Sequence, residues 1–141
     1  MDYYFWLKWA DSNNCEHVVG ILYYTNKKYH FRYNKEFLNP DNIPLGFNGV
    51  PSFGKLKEIS NEKLQEVVLA VYSSTNLFNF FAMRIPKRFD MYIWKSYGLT
   101  DYDECKLLKL TQAILPTDSF FVEEMDSYAI EELLPNYLQE N

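Results

Sequence analysis

Histidine and cysteine are scarce, two of each in 141 residues, and that scarcity excludes most site chemistry at the outset. A nucleophile needs a base within reach and a third group to orient that base. His17 stands at the start of a β-rich run and His30 on the polar side of another, positions typical of surface histidines. Structural or catalytic metal sites need three or four converging ligands. The nearest approach, Cys15-Glu16-His17, sends neighbours to opposite faces of a strand. Cys15 and Cys105 are isolated from one another and form no disulfide framework, which points to a reducing, cytoplasmic compartment. Phosphate-cradling glycine loops are missing too, because Gly46-Phe47-Asn48-Gly49 lacks both the lysine and the strand-to-helix context. The expectation is that the chain is not an enzyme, with no catalytic, cofactor or metal residues.

Cations are also in short supply. Fourteen Lys and Arg face nineteen Asp and Glu, a net charge of −5, so the basic face that duplex nucleic acid demands is absent. No apolar run reaches the roughly 18 residues of a membrane span. Met1-Asp2-Tyr3-Tyr4-Phe5-Trp6 carries neither the basic start nor the cleavage site of a signal peptide. A single cytoplasmic domain follows, with a protein partner and with neither direct nucleic-acid binding nor membrane contact.

What the chain has in abundance is aromatic surface: 12 Tyr, 11 Phe and 3 Trp. Such a sequence can offset its ordering entropy, and the surplus rings favour contact with a partner or else an aromatic core. Tyr3 to Trp9 and His17 to Tyr24 read as strands of a hairpin around the turn formers Asp11-Ser12-Asn13-Asn14. Tyr29, Phe31 and Tyr33 alternate with His30, Arg32 and Asn34, the period of a half-buried strand. Six prolines and glycines between residues 40 and 54 predict turns. Glu66 to Tyr72 is β-branched and apolar, which favours a buried strand over a helix continuing from Asn61.

The second half reads as helical. Ser74 is placed to cap a helix to about Ile85, ended by Pro86; Phe89 to Tyr97 forms another, closed by Gly98. Thr100 opens a third with Asp103 as its capping partner and Pro116 as its stop. Ser119 to Val122 predicts a closing strand, and Ser127 to Leu138 an acidic helix interrupted near Pro135. The fold class is α+β: an antiparallel, partly closed sheet of about five strands, with helices mainly from the second half.

Two features carry functional expectations. Arg84, Lys87 and Arg88 crowd around Pro86 beside Phe89 and Trp94, a mixture of cations and aromatics found at interface hot spots. These five residues are the candidate partner-binding set. The bland alternative has Arg84 neutralising a helix C-terminus, with the other cations solvated. The second feature is charge polarity. Lys109 is the last cation, and Asp118, Glu123, Glu124, Asp126, Glu131, Glu132 and Glu140 follow. This block reads as a solvated face, or as a surface that occupies a basic patch on a target.

In its order of motifs the chain resembles the N-terminal subdomain of HipA-type Ser/Thr kinases over about residues 19–121. The resemblance is carried by Val19-Gly20-Ile21-Leu22, Tyr29-His30-Phe31-Arg32-Tyr33, Ile43-Pro44-Leu45 and Val50-Pro51. It continues through Leu77-Phe78-Asn79-Phe80-Phe81-Ala82-Met83-Arg84, Tyr97-Gly98-Leu99-Thr100 and Asp103-Glu104-Cys105-Lys106-Leu107-Leu108. Gly46-Phe47-Asn48-Gly49 replaces the family's serine- and leucine-rich stretch, and residues 122–141 form an acidic extension without a counterpart. The resemblance implies a non-catalytic module. In such kinases the nucleotide and metal sites lie in a core absent here, and a separate copy in a toxin–antitoxin operon would restrain a HipA-like kinase. The rival expectation is an acidic inhibitor from a mobile element that covers a basic, nucleic-acid-binding surface of its target.

Overall fold

A computed structural model describes residues 2–138. Strands β1 (Tyr3–Ala10), β2 (Glu16–Thr25) and β3 (Lys28–Tyr33) form an antiparallel meander. Their turns follow from local chemistry. Asp11 Oδ1 accepts hydrogen bonds from the Asn13 and Cys15 backbone N–H groups at 2.9 and 3.0 Å, a side-chain turn that sets up the first hairpin. Asn26 and Lys27 both take positive φ, the two-residue connection whose twist matches the strands it joins. The strand β4 (Val71–Ser74) adds beside β3, and β5 (Phe120–Glu124) beside β1, giving the order β4-β3-β2-β1-β5. All pairings are antiparallel. The two edges do not pair with each other, so the expected five-stranded sheet is open and not partly closed.

Alternation divides the sheet into two faces. Phe5, Leu7, Leu22, Tyr29, Phe31, Tyr33 and Val122 point into the main core, against loop residues 37–56 and the helices. The register shifts between Leu7 and Lys8, where β2 accommodates one extra residue. Gly20 lies at that shift, and a Cβ there would collide with the Phe31 ring and the Arg32 carbonyl oxygen. Trp6 and Ile21 point the other way.

Helix α1 spans Asn61–Leu69, with the Ser60 side chain accepting from Lys63 N at 3.2 Å. The strand expected at Glu66 to Tyr72 is therefore corrected: helix runs to Leu69 and strand begins only at Val71. The cap and the inward pair Leu64 and Val67 outweigh the β preference of the two valines. The helix expected from Ser74 shrinks to α2 (Asn79–Ala82), because Ser74 ends β4 and its hydroxyl accepts from Asn76 N instead. Leu77 and Phe78 are both buried, so the chain dives into the core before any helix can form.

Helix α3 (Met91–Lys95) is followed by Gly98 at φ 87°, the left-handed exit expected of a glycine. The helix expected to open at Thr100 is corrected: α4 spans Glu104–Thr111, and Asp103 is its cap and not a capping partner, its carboxylate accepting from Lys106 N at 3.1 Å. It stops before Pro116, at left-handed Gln112, whose carbonyl accepts from Val122 N and ties the helix end to β5.

The extension after β5 crosses the second face of the sheet. Asp126 caps a widened π turn, Ala129–Leu133, which leads directly into α5 (Leu134–Leu138). Pro135 has no N–H to donate, and the turn widens just before it without breaking the helix. Met125, Ala129 and Leu134 cover Trp6 and Ile21, with Tyr137 edge-on to the Trp6 indole at 5.1 Å. Arg32 Nη1 donates to the Leu138 carbonyl oxygen at 2.9 Å and fastens the end. No helix among the described residues is long and apolar enough to cross a membrane.

Candidate partner-binding site

The sequence from Phe80 to Tyr97 splits into an inward and an outward half. Arg84 belongs to the first. It is 7% exposed, and its guanidinium grips the Asp118 carboxylate with two hydrogen bonds, Nη1 to Oδ1 at 3.0 Å and Nη2 to Oδ2. Nη1 also donates to the Ala113 carbonyl oxygen at 3.1 Å, and the guanidinium carbon lies 4.4 Å from the centre of the Phe80 ring. The planar fork of arginine suits such a bidentate, ring-stacked position. Arg84 is thus a strut joining the end of α2 to the loop before β5. Neither the partner contact nor the helix-end role expected of it survives, since its hydrogen bonds go to Ala113 and Asp118.

Trp94 is the second buried member of the candidate set. It is the buried residue of α3, and its indole N–H donates to the Arg88 carbonyl oxygen at 2.8 Å. Tyr102 packs edge-on against the same indole at 5.8 Å, and its hydroxyl donates to the Pro86 carbonyl oxygen at 2.6 Å. Two aromatic donors therefore clamp the backbone of residues 86–88 from beneath. Trp94 contributes to the surface by holding it up, and its own ring is unavailable to a partner.

Lys87, Arg88 and Phe89 do reach the surface. Phe89 is 78% exposed and Tyr92 is 96% exposed, flanked by the half-exposed Met91 and Ile93. Residues on a helix advance about 100° apiece. With Trp94 turned inward, the three preceding residues of a one-turn helix are left facing out. That geometry was implicit in the sequence, yet of these exposed apolar residues only Phe89 belongs to the expected set. Met83 and Tyr97, before and after this stretch in the chain, are also exposed. Isolated exposed apolar residues are ordinary, but a run of them on one turn marks an interaction surface.

The cations of this ridge form no ion pair with a carboxylate. Among the described residues, Lys87, Arg88 and Lys95 take part in none of the ion pairs, which involve Lys8, His17, Lys55, Lys63, Arg84 and Lys109. The Arg88 guanidinium rests 4.8 Å above the Tyr102 ring, and Lys95 Nζ is 5.7 Å from the Trp94 ring.

No family model matches the chain, and no solved structure matches it. Over 92 residues, 62% of the chain, it is 30% identical to a DNA-directed RNA polymerase subunit beta′ of Oedogonium cardiacum. The chain spans 5% of that subunit's length, so this similarity places it in no family.

Other titratable groups fit structural roles. Burial, with the Asp103 and Glu104 carboxylates nearby, pushes the Cys105 thiol up to about 12, far from the thiolate that nucleophilic chemistry requires. The Tyr29 hydroxyl donates to Glu104 Oε1 at 3.0 Å, and burial raises its pKa strongly. His17 Nε2 meets Asp11 Oδ2 at 2.8 Å in the first hairpin, a contact that lowers the Asp11 pKa. His30 Nδ1 lies 2.7 Å from Ser73 Oγ across the β3–β4 pair, without a carboxylate to orient its ring. Among the described residues no three His, Cys, Asp or Glu side chains converge as metal ligands would.

Much of the acidic block is committed inside the molecule. Asp118 binds Arg84, Glu123 binds Lys8 at 3.3 Å, Glu124 binds Lys109 at 3.4 Å, and Asp126 caps the π turn. Glu131 and Glu132 are solvated, and Glu140 lies outside the described residues. The extension covers the second face of the sheet and still presents Glu131 and Glu132 to solvent.

Proposed function

We propose that this chain is a non-catalytic protein-binding module that restrains a HipA-like Ser/Thr kinase within a toxin–antitoxin pair. The observation that carries the reading is the clamped ridge at residues 86–97, where Phe89, Met91, Tyr92 and Ile93 stand out from a backbone held by Trp94 and Tyr102. A contact surface fixed before binding avoids much of the ordering cost of association. Large aromatic side chains with a cationic rim are the composition of interface hot spots. The choice of a kinase as partner comes from the motif order shared with the HipA N-terminal subdomain, which in those kinases sits beside the catalytic core.

Purified chain and a purified HipA-like kinase provide the test. Calorimetry is expected to give a stoichiometric complex with a dissociation constant below about 1 μM, of the order of −8 kcal/mol. Kinase autophosphorylation is expected to fall as the complex fills. No heat and no change in autophosphorylation at tenfold higher concentration would overturn the kinase assignment.

A further inference from the structure

The ridge also specifies the chemistry of what it binds. The Arg88 side chain donates no hydrogen bond and joins no ion pair among the described residues, yet it is far from unconstrained. Its guanidinium is stacked 4.8 Å above the Tyr102 ring, that ring is fixed by the hydroxyl's bond to Pro86, and its own carbonyl is held by Trp94. A planar fork held in place with no protein acceptor for its donors matches a carboxylate, which it can take with two parallel hydrogen bonds. Lys87 and Lys95 add two further unpaired cations beside the apolar side chains, in a protein whose net charge is −5. Asp90 is the one anion among residues 86–97, so this stretch carries +2 in a chain of net charge −5, while Asp103 and Glu104 line the hollow beside Arg88.

A second copy of the chain is a poor occupant. A two-fold contact places the same patch on both sides. It would bring two ridges of net charge +2 face to face, and like charge juxtaposed at an interface costs several kcal/mol. We propose that the ridge docks an acidic, apolar-centred segment of the partner protein, with Arg88 forked onto a carboxylate and Phe89 and Tyr92 seated on apolar side chains. This rests on the protein-binding reading and adds the class of surface that the partner must present.

The test uses the full chain, isotope-labelled, and three short synthetic peptides that share the same apolar residues. The spacers between those residues are Glu in the first, Gln in the second and Lys in the third. The Glu peptide is expected to shift amide resonances across residues 87–97, at least about tenfold more tightly than the Gln peptide, and to weaken steeply as salt shortens the screening length. Arg88→Lys, which keeps the charge and loses the fork, is expected to weaken the Glu peptide about fivefold. Lys87→Glu/Arg88→Glu/Lys95→Glu is expected to abolish binding with an unchanged melting curve. Equal response to the Glu and Gln peptides, or shifts confined to other surfaces, would overturn the inference. So would a concentration-dependent dimer in sedimentation that the triple variant dissolves. A kinase complex indifferent to both variants would overturn this inference and leave the kinase reading standing. Peptide binding without any kinase complex would do the reverse.

Discussion

Residues 77–85 and 87–97 have nearly the same ingredients, aromatic rings beside basic side chains, and opposite fates. In the first, Phe81 is fully buried, and Arg84 is held by Asp118, Ala113 and Phe80. In the second, Phe89 and Tyr92 stand in solvent, and Arg88 has a ring beneath it but no ion pair among the described residues. The difference teaches that composition alone does not decide burial. An arginine goes inside when the fold supplies an acceptor for its donors, because an unpaired buried charge is costly. An aromatic stays outside when its helix is one turn long and the single inward position is already taken, here by Trp94.

The largest effect expected from that contrast lies in the two phenylalanines. Phe81→Ala should destabilise the fold by about 4 kcal/mol, the usual result for a buried ring, while Phe89→Ala should stay within about 0.5 kcal/mol. Urea unfolding of both variants decides it, and equal losses would erase the distinction between the halves. The two partners of the internal ion pair come next. Asp118→Ala strands a buried guanidinium and should cost about 2–3 kcal/mol, a value below the usual range because the Asp118 side chain is 31% exposed. Arg84→Met fills the same space and leaves an aspartate that water can reach, so the smaller loss is expected there. The reverse ranking would mean that Arg84 is not a strut.

A third contrast concerns the two faces of the sheet. If residues 125–138 merely decorate the surface, Leu134→Ala is silent. As a cover over Trp6 and Ile21 it should lose about 2 kcal/mol and shift tryptophan emission to the red. The smallest effect is one of pH. Cys105 has a folded pKa raised from 9.0 to about 12, and Tyr29 and Tyr33 are raised as well. Groups held neutral by folding support stability fully below their unfolded pKa values and lose that support as pH climbs towards the folded ones. Stability should therefore decline above about pH 9, and Cys105→Ala should flatten the thiol's part of the decline. A thiol reagent at pH 8 should label exposed Cys15 and reach buried Cys105 only after unfolding.

Much of this fold is written locally. Alternation along residues 29–33 and the turn formers at 11–14 and 25–28 act through neighbours within a few positions, so they are legible from the chain, whereas the sequence pattern puts the start of α4 three residues early, at Thr100 in place of Asp103. Residues 66–72 and 74–85 misled for the complementary reason. In the first, the Ser60 cap and the inward Leu64 and Val67 overrode β propensity; in the second, Leu77 and Phe78 were drawn into the core before a helix could start. The candidate site was half legible: Lys87, Arg88 and Phe89 are exposed, whereas Trp94 turns inward beneath them and Arg84 turns inward to Asp118 and Ala113.

By itself, the sequence determined the antiparallel meander, the helix-rich second half, the scarcity of reactive groups and the place where cations and rings gather. Only the tertiary structure decided which of those cations is free. Asp118 stands 34 residues from Arg84 and Tyr102 stands well beyond Arg88, and no local pattern encodes contacts at such separations. Likewise the acidic extension became a cover because Trp6 and Ile21, far away in the chain, needed burial that nothing nearer could provide.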